Sequence, residues 1–359
     1  MDRSAHSDRS LNDSRTAYDY VTVGHVTRDL IENRSGGALA QPGGGAFYSA
    51  LQASRLGLHT LIVTQGVPRE IEALLEPYRD ELELRVIAAQ HTTTLSTRGS
   101  GAQRSQRLLA WAGPILAPPR LDTAILHLAP VARETPVAWH GDVGFLGITP
   151  QGLVRHWEQG DEVPLVQLDA SSLLGDIPLC ASADQTLAGD ISPVELDPEA
   201  LPEHFDAAVI SEHECQSCRA LFAAARHSGA CVAVTAGARP TTVHLSQAAD
   251  QPKAADQSKA ADQPKADAEP KADAESKLGA SPGGGAMTVV QTTSPPLVET
   301  RDDLGAGDVF AAAFFIALAD RRSPQEAANF GNAAAAVRVA GVGPGAIGRR
   351  EEIDAGITP

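Results

Sequence analysis

The run Asp302-Asp303-Leu304-Gly305-Ala306-Gly307-Asp308 stands directly before an apolar stretch, residues 309–319. Two glycines let the backbone turn tightly and point successive N–H groups outward at a helix start. Unpaired donors and the helix dipole favour an anion there. A carboxylate beside such a hole can accept a proton while the hole holds the charge of a moving phosphoryl group. The same residues would also suit a plain glycine turn with Asp308 near a helix start, so the run alone leaves both readings open. A second cluster, Gly43-Gly44-Gly45, opens a helical pattern over 46–56 that Gly57 ends.

Other groups are weaker. Cys215 and Cys218 form a CxxC with His213 close by, but no second ligand pair has zinc spacing, and ordinary thiols are expected, as for Cys180 and Cys231. Gly343 to Gly348 spells GxGxxG, yet it follows a helix near the chain end instead of joining a strand to a helix. An NAD-dependent oxidoreductase is therefore disfavoured. Asp169 ends a predicted strand, where open α/β sheets bind ligands, and could equally cap a turn. Arg98, Arg104 and Arg107 read as a solvated hairpin face. The histidines form no nucleophile–base pattern.

The elements that must hold these residues alternate. Strands are predicted near 20–23, 61–63, 124–128, 143–148, 164–168, 207–210, 231–235, 241–245 and 287–291, with helices between several, including 212–227. Apolar strands alternating with helices imply a mainly parallel sheet covered on both faces. The stretch 84–110 is poorly periodic and reads as a hairpin or lid. Ser323, Pro324 and Glu326 supply an N-cap, an N1 proline and a capping box for a helix running to about residue 340. Between 247 and 277 lysines recur every six residues without large apolar side chains, which predicts disorder inside one β-hairpin.

The chain has 359 residues, a net charge of -16 and only 4% aromatics. The acidity disfavours nucleic acid or an anionic membrane surface as partner. No run of about 18 apolar residues suggests a membrane span, and the polar residues 1–17 lack a signal-peptide core. A cytoplasmic location is expected.

The two glycine signatures, in this order and separation, resemble the ribokinase-like family, also called phosphofructokinase-B type sugar and nucleoside kinases. Asp302 to Phe310 resembles its C-terminal signature, and Gly43 to Gly57 its N-terminal one. The resemblance covers most of 18–349. It implies that Asp308 is the catalytic base and that Gly305, Ala306 and Gly307 form the anion hole. Asp29, with Gly43, Gly44 and Gly45, would bind the acceptor. Ser211, Thr235, Gly237 and Asn332 would bind ATP, and Glu214 would act on Mg²⁺ indirectly. Asp302 would stand near a monovalent-cation site, although Asp303-Leu304 departs from the signature there. Thr149-Pro150-Gln151-Gly152 with Arg155 resembles a run of an uncharacterised branch of the family.

The expectation is one three-layer α/β/α domain over 18–349 with a small β lid near 30–42 and 85–110. A tail at 1–17, an insertion at 246–286 and a tail at 350–359 complete the chain. The resemblance implies an ATP- and Mg²⁺-dependent kinase for a hydroxyl of a sugar, nucleoside or polyol, with a homodimer among the states it allows. The alternative is a catalytically silent ligand-binding protein on the same scaffold.

Overall fold

Val21, Val23, Leu61, Val63, Leu126 and Leu128 are buried in one apolar cluster, while Tyr20, Ile62 and Ile125 are buried in another. Neighbouring residues of one strand thus face two separate cores. That is the condition for a parallel sheet between two covering layers. The computed structural model describes residues 18–32, 37–99, 104–157, 175–178, 190–246, 287–292 and 295–357.

Strands β1 (Tyr18–Val23), β2 (Thr27–Glu32), β3 (Gly37–Gly43) and β4 (Thr60–Gly66) come first. β5 (Glu83–Ala88), β6 (Thr94–Arg98), β7 (Ser105–Ala110), β8 (Thr123–Leu128) and β9 (Val143–Ile148) follow. Three short strands are β10 (Arg155–His156), β11 (Gly175–Pro178) and β12 (Ser192–Pro193). The last are β13 (Ala207–Ser211), β14 (Cys231–Ala236), β15 (Arg239–Ser246) and β16 (Met287–Gln291). The helices are α1 (Gly45–Arg55), α2 (Pro68–Leu75), α3 (Arg219–Ser228), α4 (Ala306–Ala319), α5 (Pro324–Val339) and α6 (Arg350–Ile357).

The central sheet runs β16-β15-β14-β13-β9-β8-β1-β4-β5. It is parallel from β14 to β5, and the hairpin β15–β16 extends it antiparallel. Helices α1, α4 and α5 cover one face and α3 lies on the other. The fold is therefore three-layer α/β/α with a mainly parallel sheet. A second sheet, β11-β3-β2-β6-β7, forms the lid.

Helix α4 is buried from Val309 to Ala317, which is why its sequence shows no polar face. It sits against α1 and α5 and carries Asp308 in its first turn. Helix α5 starts as the sequence indicates. Ser323 Oγ accepts from the Glu326 N–H at 3.3 Å, and Glu326 Oε2 accepts from the Ser323 N–H at 2.9 Å.

Three expectations need correction. β5 belongs to the central sheet, where it pairs with β4, so that part of the lid begins only at Thr94. Its exposed edge position gives it a weak apolar signal. The predicted helix 212–227 is split. Ser211 and Glu214 close a capping box on a single 3₁₀ turn, Glu212–Glu214, and α3 starts only at Arg219. Residues 350–357 form α6 instead of a tail, because Ile353 enters the core and the Arg350 Nη2 donates to Leu56 O at 3.2 Å. The insertion does interrupt one hairpin: Ser246 pairs with Met287. The tail 1–17, the insertion from 247, the strand 164–168, Asp169 and Cys180 lie outside the described residues. No described helix is long and apolar enough to cross a membrane.

Candidate active site

Asp29 enters from the lid strand β2 and Asp308 from the base of the site on α4. Both line one cavity of about 190 Å³, together with Tyr48, Arg155, Glu214 and Thr235. The cavity lies between the lid and the strand ends of the central sheet. Open α/β sheets place ligands at such strand ends.

Glycines give the two carboxylates room. A Cβ on Gly45 would stand 2.8 Å from Asp308 Oδ1, and one on Gly43 would overlap the Asp29 carboxylate. Asp29 is 2% exposed, and Thr27 Oγ1 donates to its Oδ1 at 2.6 Å. Burial raises its carboxyl to about 6, opposed by Thr27, Arg155 and Arg104. Burial raises Asp308 to about 7. Arg155 opposes this rise, while Glu214 and Asp29 add to it. A carboxyl tuned near neutrality suits a general base.

Gly305 takes a φ of 76°, a left-handed conformation, at the N-cap of α4, and a side chain there would strike the Tyr48 ring. Among the described residues, the N–H groups of Gly305, Gly307 and Asp308 have no partner outside helix α4, and those of Gly307 and Asp308 lie in its first turn. The Ala306 N–H differs from expectation: it donates to Asp303 O at 3.3 Å. The turn thus leaves the amides of Gly305, Gly307 and Asp308 available, while that of Ala306 is taken.

On the donor side, Ser211, Glu214 and Thr235 line the cavity as the sequence indicates. The Ser211 N–H donates to Glu214 Oε2 at 2.8 Å, which fixes that carboxylate at the C-terminal end of β13. Among the described residues no three His, Cys, Asp or Glu side chains converge as a metal cage. A single carboxylate facing a phosphate site nevertheless fits Mg²⁺, which keeps water and substrate phosphates as its main ligands.

Six expected site residues do not line the cavity: Gly43 and Gly45, which back onto the two carboxylates, Ala306, and Asn332, Gly237 and Asp302. Asn332 is 7% exposed, and its side chain is committed: Oδ1 accepts from Thr241 Oγ1 at 2.9 Å, and Nδ2 donates to Thr292 Oγ1 at 3.2 Å. It ties α5 to the β15–β16 hairpin. Gly237 makes the left-handed turn between β14 and β15, with φ of 63°. Asp302 accepts from the Leu304 N–H at 3.0 Å and the Gly343 N–H at 2.9 Å, and pairs with Arg338 Nη2 at 2.8 Å. The Arg338 guanidinium therefore neutralises Asp302. Gly343 of the GxGxxG run supplies one of these amides.

Sequence reasoning missed Arg338 altogether. It is 0% exposed and also donates to Asp302 O at 3.2 Å, so it anchors the loop that leads into Gly305 and α4. Arg338→Leu leaves the Asp302 charge without its cation. The expected loss is about 3 kcal/mol of stability, read by denaturant unfolding, with turnover falling as the loop loosens. Wild-type stability would contradict the anchor role.

The lid arginines divide. Arg98 pairs with Glu32 and Arg107 with Asp190 at exposed positions. Arg104 instead turns inward, lines the cavity and pairs with Asp303. Cys215, Cys218 and Cys231 are unpaired thiols.

Comparison with known proteins agrees with this geometry. Residues 281–349 match the family described as pfkB family carbohydrate kinase. No curated protein sequence matches the chain. Among solved structures, a pyrophosphate-dependent kinase of the ribokinase family, complexed with a pyrophosphate analog and myo-inositol, aligns with a TM-score of 0.60 at 18% identity, covering 94% of this chain and 99% of that one. Arabidopsis thaliana ribokinase, complexed with ribose and ATP, aligns at 0.58 and 16%, over 95% and 99%. A Methanocaldococcus jannaschii nucleoside kinase of the same family aligns at 0.56 and 14%, over 94% and 98%. The C-terminal segment of this chain thus carries the pfkB carbohydrate-kinase match, and the chain as a whole has the ribokinase-like fold.

Proposed function

We propose that the protein is a small-molecule kinase that moves a phosphoryl group from ATP to a hydroxyl of a sugar, nucleoside or polyol. One observation carries the reading. A carboxyl raised to about 7 stands in the same cavity as a turn of free backbone amides. That pair meets the two electrostatic needs of phosphoryl transfer to an alcohol, a proton acceptor and a charge sink.

The acceptor lies between Asp29, Gly44 and Asp308. Asp29 accepts hydrogen bonds from acceptor hydroxyls and orients the reacting one. Asp308 takes the proton from that hydroxyl as its oxygen approaches the phosphorus. The amides of Gly305, Gly307 and Asp308 hold the charge that develops. Glu214 stands where Mg²⁺ on the donor phosphates would be held through water, and that ion would supply charge neutralisation. The lid excludes water from the transfer, which protects the donor from hydrolysis.

A second donor has specific support. Asn332 and Gly237, expected at the nucleotide, do not line the cavity, and the similar structures include a pyrophosphate-dependent kinase. Inorganic pyrophosphate would need only the phosphate end of the site. Titration calorimetry with Mg-ATP, pyrophosphate and NAD tests the class. Saturable binding of a phosphate donor without NAD binding is the expected result. Saturable NAD binding with no response to either donor would remove the kinase reading.

A further inference from the structure

Arg155 poses a physical question that the anion hole and Asp308 leave unanswered. It follows the 3₁₀ turn Pro150–Val154, and its guanidinium opens onto the same cavity as Asp308, Gly305 and Gly307. Nη1 donates to Val131 O at 2.9 Å and Nη2 to Gln106 Oε1 at 2.8 Å. Both partners are neutral. Among the described residues no carboxylate oxygen lies within 4.0 Å of it. Arg104, the other cavity arginine, is already paired with Asp303. A guanidinium taken out of bulk water without a counter-charge is costly. Its two hydrogen bonds fix the plane of the fork and leave donors facing the cavity.

Its position fixes which anion it would meet. Glu214, Asp29 and Asp308 line the cavity onto which it opens. The guanidinium therefore shares one cavity with both aspartates, with Glu214 and with the amides at the start of α4.

We infer that Arg155 is a further catalytic residue, whose guanidinium grips the phosphoryl group in transfer within the cavity it shares with the α4 amides. The identity of that anion rests on the kinase reading. In the step, the acceptor oxygen forms a bond to the transferred phosphorus. The bond from that phosphorus to the donor's bridging oxygen breaks, and its electron pair leaves on the donor. The acceptor proton passes to Asp308. Arg155 exchanges no proton; it neutralises the equatorial oxygens while charge spreads over them. Because Nη2 also holds Gln106 on lid strand β7, the grip forms only when the lid is in place.

The test uses the full chain and needs no knowledge of the acceptor for its first arm. Inorganic pyrophosphate and orthophosphate are titrated into wild type, Arg155→Gln, Arg155→Lys and a surface control, Arg120→Gln. Wild type and the control bind alike. Arg155→Gln binds at least about tenfold more weakly, and Arg155→Lys falls between, since a point charge replaces the fork. The second arm reads turnover with whichever acceptor reacts. Arg155→Gln lowers kcat by about 10²–10³ and leaves the acceptor KM nearly unchanged, a split that simple loss of folding would not give. Wild-type affinity and kcat in Arg155→Gln, or no oxyanion binding by wild type, overturn the inference. If circular dichroism shows that the glutamine variant is unfolded, Arg155→Lys decides: unchanged affinity and kcat overturn it. The two readings fail separately. Oxyanion binding that depends on Arg155 without phosphorylation of any acceptor removes the kinase reading only. Phosphorylation at full rate in Arg155→Gln removes this inference only.

Discussion

Asp308→Asn is expected to lower turnover by at least about 10²-fold, the lower range for general base catalysis, while making the protein more stable above neutral pH. The amide keeps the shape and the first-turn position of the side chain but cannot take a proton. The stability gain follows from the raised carboxyl. In the folded chain Asp308 titrates at about 7, against 3.8 for an ordinary aspartate. Between those values the folded state holds a proton that the unfolded state has released. Stability from this group is therefore full at low pH and is lost as pH rises through 7. The variant escapes that loss. Its advantage at pH 8 is of order 1–4 kcal/mol and vanishes near pH 4. Thermal melts at the two pH values measure it, and a variant less stable than wild type at pH 8 would contradict the buried-base assignment. The same titration sets the activity profile. The wild-type kcat/KM is expected to fall about tenfold per pH unit below 7, because it reports the free enzyme.

The second large effect is expected from Gly45→Ala. Gly45 is the first residue of α1 and has no left-handed φ, so alanine suits the backbone and its helix propensity is better. Stability should hold or improve by a few tenths of a kcal/mol. The new methyl, however, would stand 2.8 Å from Asp308 Oδ1 and 3.3 Å from Ala129 Cβ. The first contact is tighter than carbon and oxygen accept, and the carboxylate is the softer neighbour. Its displacement takes the base out of line with the acceptor oxygen. Misplacements near 1 Å can cost about 10² in rate, so turnover should fall by roughly that factor with an unchanged melting temperature. Steady-state kinetics beside a thermal melt checks both halves. Full activity would mean that Gly45 is only a helix start and not the room in which Asp308 sits.

These expectations trace back to features of unequal visibility. The Gly305–Asp308 turn and the Gly43–Gly45 cluster were legible because their function is local: a tight backbone and a carboxylate adjacent in sequence. The start of α5 was legible for the same reason, since Ser323, Pro324 and Glu326 satisfy each other within one turn. Arg155 and Arg338 were not. Each meets residues far away in sequence, Arg155 at a cavity shared with Asp308 and Arg338 at Asp302; the Thr149–Gly152 run marks Arg155, but nothing in it points to that cavity. Asn332 shows the converse. Its place in the helix was readable, but Thr241 and Thr292 on the hairpin claim its amide. Asp302 likewise gives no sign in the sequence of Arg338, which reaches it through the fold. β5 was mistaken for lid because an exposed edge strand has little apolar alternation, and α6 was missed because only Ile353 anchors its short sequence in the core.

The central claim is that Asp308 activates a hydroxyl for phosphoryl transfer, and transfer itself tests it most directly. Wild type and Asp308→Asn are incubated with ATP or pyrophosphate, Mg²⁺ and a panel of sugars, nucleosides and polyols, and the phosphorylated acceptor is followed in single-turnover experiments. The account predicts a phosphomonoester with at least one acceptor, formed at least about 10²-fold more slowly by the variant. No phosphomonoester from any acceptor with either donor, or equal rates in the two proteins, would contradict it.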